Sequence, residues 1–140
     1  MTADVLDPAI LERWNTCGYY ELVGMRVEHA DAAGSRFSIQ ITPAHTQLYG
    51  TAHGGILAGM LDAAMALALL AHMPPNEGCA TVEMKVNYTA PGNLGTLTGT
   101  GAVIDMGRRI AVARADIHGA DGRLVATSQG TFMRFQAGAA

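Results

Sequence analysis

The chain has 140 residues, of which 49% are hydrophobic and 15% are charged, and its formal net charge is -3. This length fits one ordinary domain, and the apolar content is too high for a disordered chain. The acidic balance argues against a general nucleic-acid binder, which usually carries a strongly basic face. We therefore expect one folded domain over residues 1–140.

Charge and cysteine usage give two further expectations. Residues 1–80 carry three Arg and eight acidic residues, whereas residues 81–140 carry six Lys or Arg and four acids. An anionic ligand would therefore favour the second half. Cys17 and Cys79 form no C-x-x-C pair, which disfavours a zinc or dithiol centre and suits a reducing compartment. Since no basic leader precedes an apolar segment, the expected location is cytoplasmic.

A short helix is predicted first in the chain. Asp7 and Pro8 precede residues 9–14, and an Asp followed by Pro is typical of an N-capped helix start. We expect this helix to end near Gly18, so that residues 1–19 form an N-terminal helical extension.

Strands are predicted on both sides of a long apolar segment. Residues 21–30 and 35–44 predict a hairpin, in whose turn Gly34 can adopt a positive φ angle. The second half predicts four strands, with the last three forming an antiparallel meander: residues 81–90, 96–106, 108–118 and 123–136. One long helix between strands implies an α+β fold in which an antiparallel sheet packs on that helix.

The strand over residues 81–90 alternates between apolar and polar side chains. Such alternation predicts one buried and one polar face. The predicted buried face holds Val82, Met84, Val86 and Tyr88, and the polar face holds Thr81, Glu83, Lys85 and Asn87.

Residues 54–71 contain a single charged residue, Asp62, among otherwise apolar or small residues. The segment is close to the minimum length of a membrane span, about 17 to 25 residues. Its central carboxylate and its lack of aromatic or basic flanks argue against insertion. A helix that is apolar all round is otherwise surrounded by protein, so we expect a buried helix and no membrane association.

Asp62 has a structural and a functional interpretation. Many buried acids are satisfied by neighbouring donors and have no further role. No basic residue lies within two helical turns of Asp62, however, and an unpaired, desolvated carboxylate suits a catalytic base or nucleophile. Its helix face consists mainly of small residues, which indicates that another part of the protein approaches closely.

The start of the same helix offers a complementary group. Gly54 and Gly55 expose backbone N–H groups at the positive end of the helix dipole, where an oxyanion hole is one interpretation and a tight turn is the other. Gly54 and Asp62 are separated by about 12 Å of helix, at 1.5 Å per residue. If both act on one carbonyl, they must come from different subunits, which implies a homodimer.

The pattern H-G-G-x-x-x-x-x-x-D, formed by His53, Gly54, Gly55 and Asp62, follows Gln47 and precedes the strand segment TVEMKVNYTAPG. Over residues 20–136 this arrangement resembles the hotdog-fold acyl-CoA thioesterases of the phenylacetate-pathway (PaaI-like) type, in the 4-hydroxybenzoyl-CoA thioesterase superfamily. The resemblance implies a hotdog fold, with the sheet wrapped around one central helix. It also implies edge-to-edge homodimers that commonly assemble into homotetramers, and an acyl-CoA substrate with no separate cofactor.

The resemblance also implies roles for individual residues. The Gly54 N–H would polarise the thioester carbonyl, while Asp62 of the partner subunit activates water or attacks directly. Gln47 would lie near the reacting carbonyl, although it could equally cap the loop before the helix. Thr81 matches a position where some relatives place a hydroxyl that holds the water, although Thr is also an ordinary strand residue.

Three further candidates have weaker patterns. His53 is expected to orient the loop or the carbonyl, because no nearby acid fixes its tautomer as a base would need. Arg108 and Arg109 at a hairpin tip could bind the phosphates of coenzyme A, or could simply be solvated. The other histidines show no metal-ligand spacing, so no metal is expected: His29, His45, His72 and His118.

Two alternative functions remain open on the same fold. Acyl-CoA hydratases pair a His with an acid, but this chain lacks their His-Phe-Pro-Gly stretch. A non-catalytic acyl-CoA-binding regulator would need no carboxylate, and the segment before the sheet leaves little room for a helix-turn-helix.

Overall fold

The computed structural model describes residues 7–138. Ten elements follow one another along the chain: α1 (Pro8–Asn15), α2 (Gly18–Val23), β1 (Met25–Asp31), β2 (Gly34–Ile41), a 3-10 helix (Pro43–His45), α3 (Gly54–Leu70), β3 (Glu77–Tyr88), β4 (Gly95–Met106), β5 (Ile110–His118) and β6 (Leu124–Gln136). The six strands form one antiparallel sheet in the order β1-β2-β4-β5-β6-β3. The helix α3 contacts every strand of this sheet. The predicted hotdog architecture is therefore confirmed.

The long helix is the centre of the core, as its apolar sequence predicts. Leu61, Leu67 and Leu69 have no exposed surface, and burying each such side chain stabilises the fold by about 1.5 to 3 kcal/mol. Close approach to the sheet depends on Gly101 in β4, because a Cβ at this position would lie 2.1 Å from the Ala64 carbonyl oxygen. No helix described within residues 7–138 is long and apolar enough to cross a membrane.

The N-terminal region differs from the sequence prediction. Helix α1 begins as predicted, with the Asp7 side chain accepting the Ala9 N–H at 2.9 Å. Residues 21–23, however, belong to a second helix rather than to a strand, and β1 begins only at Met25. Tyr20 anchors α2 by packing edge-on against Phe37, and Gly24 ends it with a φ angle of 74°. Such tertiary packing overrides local strand propensity.

The predicted faces of β3 are also partly wrong. A bulge between Thr81 and Glu83 shifts the register against β6, so Thr81 pairs with the fully buried Phe132. A bulge of one residue interrupts the alternation, so the side chains before it follow a different pattern from those after it. As a result Thr81 faces α3, and Val82, which was expected to be buried, is 60% exposed. Because β3 is an edge strand, Tyr88 is also 54% exposed.

Candidate active site

The start of α3 presents one free backbone donor. His53 is the N-cap, and its Nδ1 accepts the N–H of Gly55 at 2.8 Å. Since Nδ1 accepts this hydrogen bond, the ring N–H is at Nε2. Among residues 7–138, no acceptor lies within hydrogen-bonding distance of the Gly54 N–H. The sequence suggested two exposed glycine amides, but capping by His53 leaves only the Gly54 N–H available at the positive end of the helix dipole.

Tyr88, expected only as a buried residue of β3, fixes the position of this helix terminus. Its hydroxyl donates to the Gly54 carbonyl oxygen at 2.9 Å. Its ring also lies close enough that a Cβ at Gly54 would be 3.3 Å from it. The pairing of a Tyr on β3 with a glycine on α3 follows from the tertiary fold, so no local pattern indicates it.

Gln47 is used within the loop that precedes α3. Its Nε2 donates to the Thr51 hydroxyl at 2.8 Å, and its Oε1 accepts the backbone N–H of Tyr49. Both ends of the amide thus stabilise the loop, in agreement with the capping interpretation. The tip of this loop carries two apolar side chains that are 101% and 91% exposed, Leu48 and Tyr49.

Asp62 and Thr81 form the second part of the candidate site. The Thr81 hydroxyl donates to Asp62 Oδ1 at 2.7 Å. Among the described residues, Asp62 Oδ2 has no partner, so one carboxylate oxygen is held while the other is free. Asp62 is only half-buried, contrary to expectation, because its side of α3 faces the edge strand β3 with no further strand beyond it. The carboxylate is therefore accessible to a reactant.

The surroundings of Asp62 keep two other ionisable groups neutral. Burial, followed by the Asp62 charge, raises the pKa of the Cys79 thiol to about 11. Burial also raises the pKa of the Tyr20 phenol, with smaller contributions from Cys17 and Asp62. Both groups are thus protonated at neutral pH, and since the thiolate is the nucleophilic form, Cys79 is not an activated nucleophile.

The small-residue face of α3 is occupied by part of the same chain. A Cβ at Gly59, one turn before Asp62, would lie 2.2 Å from the Tyr19 hydroxyl oxygen. The close approach that the sequence indicated is therefore at least partly that of Tyr19 from α2. Tyr19 itself carries no sequence signal, because the glycine records only that something must fit there.

Comparison with known proteins identifies the family. The protein-family model described as Thioesterase superfamily matches residues 49–126, which include both the Gly54 terminus and Asp62. The chain belongs to the thioesterase superfamily. The resemblance seen in the sequence is thereby confirmed.

Relatives of this superfamily member include an acyl-CoA thioesterase and putative esterases. It is 30% identical to a putative esterase of Halobacterium salinarum, over 85% of each chain. It is also 30% identical to the medium/long-chain acyl-CoA thioesterase YigI of Salmonella typhimurium, over 58% of this chain and 61% of the relative. The match thus spans less than two thirds of that enzyme.

Solved structures of other proteins share the architecture of this superfamily chain. The Escherichia coli PaaI protein from the phenylacetic acid degradation operon superposes with a TM-score of 0.82, at 20% identity over 90% of each chain. Identity this low shows a common fold only.

The fold of the thioesterase-superfamily chain separates the candidate residues into distinct places. Gly54, Gly55, His53 and Gln47 lie at the start of α3, whereas Asp62 and Thr81 lie two turns further along. Both glycines and Asp62 occupy one unbroken helix, so the separation of about 12 Å inferred from the sequence holds within one chain.

Arg108 and Arg109 are exposed on the turn between β4 and β5. The Arg109 carbonyl accepts the N–H of Arg134 at 2.8 Å, and Arg134 lies opposite Cys79 in the sheet. The turn is therefore at the end of the sheet where β3 begins. In the described part of the chain, neither arginine forms a salt bridge, so both guanidinium groups can meet an anion.

Proposed function

We propose that this protein hydrolyses an acyl-CoA thioester to the free acid and coenzyme A. The observation that carries the proposal is that one helix presents both a free N–H at Gly54 and a half-buried carboxylate at Asp62 with one free oxygen. Family membership and the named activity of the Salmonella relative support the same reaction.

The Gly54 N–H would stabilise the charge that develops on the thioester oxygen. Because Gly54 is the first residue of a 17-residue helix, the positive end of the helix dipole would stabilise the same charge. Loss of one such donor typically costs about a hundredfold to a thousandfold in kcat. His53 accepts the Gly55 N–H, so it would orient the helix terminus and leave the Gly54 N–H as the single donor. Gln47 would hold the preceding loop in place and lie near the carbonyl.

Asp62 would act in one of two balanced routes. As a base, it takes a proton from water while the water oxygen bonds to the acyl carbon, and the C–S bond then breaks as that proton passes to the thiolate of coenzyme A. As a nucleophile, its free oxygen bonds to the acyl carbon and expels the thiolate, and water then opens the resulting anhydride. Thr81 would hold the carboxylate in either route.

A homodimer would bring the two parts together. Because they are about 12 Å apart on one helix, Gly54 of one subunit would act with Asp62 of the partner subunit. Edge strand β3 supports this assembly, since it pairs only with β6 within residues 7–138 and exposes Val82 and Tyr88. Natural proteins usually cover such an edge. Pairing of two β3 strands would do so, and such dimers would assemble into homotetramers, as the resemblance implies.

In the subunit that contributes Gly54, the turn with Arg108 and Arg109 is the proposed contact for the phosphates of coenzyme A. Guanidinium groups bind phosphate through two parallel hydrogen bonds. The two side chains are exposed and unpaired among the described residues, which supports this role. We propose no cofactor beyond the coenzyme A of the substrate, and a cytoplasmic location remains our prediction.

The direct test measures thiol release from short, medium-chain and aromatic acyl-CoAs with a colorimetric thiol reagent. We expect Asp62→Ala to lower kcat/KM by about a hundredfold or more, as loss of a general acid–base group commonly does. Asp105→Ala is the matched control, because Asp105 is an exposed carboxylate on β4 with no salt bridge in residues 7–138. Size-exclusion chromatography must show the same assembly for all three proteins.

Two outcomes would replace this proposal. Binding of an acyl-CoA without hydrolysis by the wild type would indicate a non-catalytic acyl-CoA-binding protein. Addition of water to an unsaturated acyl-CoA, without thiol release, would indicate a hydratase. If hydrolysis occurs, a single turnover in 18O-labelled water separates the two routes, since label in the Asp62 carboxylate excludes simple base catalysis.

A further inference from the structure

A large open cavity lies beside the candidate active site, on the side away from Gly54. Its volume is about 690 Å³, within the range of about 300 to 1,000 Å³ that is usual for small-molecule sites. The walls come from α1, the end of α3, the start of β3 and the end of β6. The apolar residues of the walls include Trp14, Leu70, Met73, Cys79 and Phe135.

One residue of the cavity wall, Cys79, contacts α3 close to Asp62. Its thiol donates to the Ala66 carbonyl oxygen at 3.9 Å, and Ala66 is one helical turn beyond Asp62. Cys79 also precedes Thr81 by two residues on β3, so both side chains point to the same face of the strand. Cys79 in the cavity wall thus lies about 6 to 7 Å along β3 from Thr81, the residue that holds the carboxylate.

The chemistry of the walls favours an uncharged apolar occupant. Glu77, which also lines the cavity, is paired with Arg134 at 2.6 Å, and both side chains are more than four-fifths buried. The Cys79 thiol is neutral at pH 7, because burial raises its pKa to about 11. Arg13 lines the cavity from the exposed side of α1 and is the one charged lining residue without a salt bridge in residues 7–138. The phosphate-bearing part of coenzyme A would gain little from such walls.

We infer that this cavity binds the acyl chain of the substrate, and that the chain is apolar. The inference rests on the proposed function, because it takes the thioester carbonyl to lie at Asp62. Helix α1 lies outside the residues that match the family model, so Trp14 would be a specificity determinant that the matched residues do not include. Cys79 would limit the width of the cavity next to the reacting carbon.

Trp14 provides a readout that does not depend on catalysis. It is the single tryptophan of the protein, it is half-buried, and it lines the cavity. The probes are S-decyl-CoA and S-methyl-CoA, which are thioethers and cannot be hydrolysed. We expect S-decyl-CoA to shift the Trp14 emission in a saturable way, and S-methyl-CoA to leave it unchanged.

Two neighbouring positions on β3 give a matched pair of variants. Cys79→Phe places a ring in the cavity, whereas Ala80→Phe places the same ring on the exposed side of the strand. We expect Cys79→Phe to weaken binding of S-decyl-CoA at least tenfold and to leave S-methyl-CoA binding unchanged, since misfit of an apolar group is worth about 10- to 200-fold. Ala80→Phe should bind both probes like the wild type. Cys17→Phe, from the opposite wall, repeats the test if Cys79→Phe does not fold.

Three results would overturn the inference. Binding of S-decyl-CoA by calorimetry without any change in Trp14 emission would place the chain elsewhere. Equal affinity for the two probes would show that no apolar chain is bound. A Trp14 spectrum that varies with protein concentration, and not with S-decyl-CoA, would show that a second copy covers the cavity. If the probes behave as expected but no acyl-CoA is hydrolysed, the proposed function fails and the cavity assignment stands.

Discussion

The two halves of α3 contribute to the candidate site in different ways. At its start, the reactive group is a backbone N–H at Gly54, and side chains act only by holding that terminus: His53 caps the next amide and Tyr88 binds the Gly54 carbonyl. In its middle, the reactive group is the Asp62 side chain, held by Thr81. Side-chain substitution therefore removes the second group directly, whereas the first can be removed only by changing the backbone.

The largest effect after loss of Asp62 should come from Gly54→Pro. Proline is tolerated at the first position of a helix and removes the N–H, and His53 already has the extended conformation that precedes proline well. We expect kcat to fall by about a hundredfold to a thousandfold, measured by thiol release. Helix content should be unchanged by circular dichroism.

Gly54→Ala is the control, because it keeps the N–H and adds only the Cβ that would lie 3.3 Å from Tyr88. Its activity should fall much less than that of Gly54→Pro. Equal activities in the two variants would mean that the Gly54 N–H does not act on the substrate, and the contrast between the two halves of α3 would disappear.

Thr81→Val should have an intermediate effect. It removes the 2.7 Å hydrogen bond to Asp62 while keeping the size and β-branched shape of the side chain. Since a hydrogen bond to a charged group contributes about 1.5 to 3 kcal/mol, we expect kcat/KM to fall by about tenfold or more. Thr81→Ser, which restores the hydroxyl, should recover most of the activity. If the Ser and Val variants are equally impaired, Thr81 is needed for packing and not for holding the carboxylate.

The smallest effect should be that of His53→Ala, and it should appear mainly in stability. Loss of an N-cap costs about 1 kcal/mol, so the free energy of unfolding in urea should fall by about that amount. The substitution also frees the Gly55 N–H, which would offer a second donor beside Gly54. His53→Asn retains a capping side chain and should unfold like the wild type. A loss of activity near that of Gly54→Pro would instead assign His53 a direct role.

Local patterns predicted most of the elements that position the site. The apolar segment around Asp62 predicted the limits of α3 to within one residue, because a helix that is apolar on nearly every side is buried in protein. The glycines before it indicated the helix terminus. The secondary-structure predictions fail at positions whose conformation depends on a contact with a residue far away in the sequence. The α2 helix depends on Tyr20 packing against Phe37, and residues 21–23 carry no local sign of that contact.

The sequence by itself determined which chemical groups are available: a carboxylate at Asp62, a glycine-led helix terminus eight residues before it, and strands enough to enclose the helix. Only the tertiary structure decided how they are presented. The bulge after Thr81 turns a hydroxyl from the predicted polar face toward Asp62, and the His53 ring removes one of two amides from use. The reason is physical: alternation and helical spacing are local, whereas strand register and hydrogen-bond partners depend on residues that are far apart in the chain.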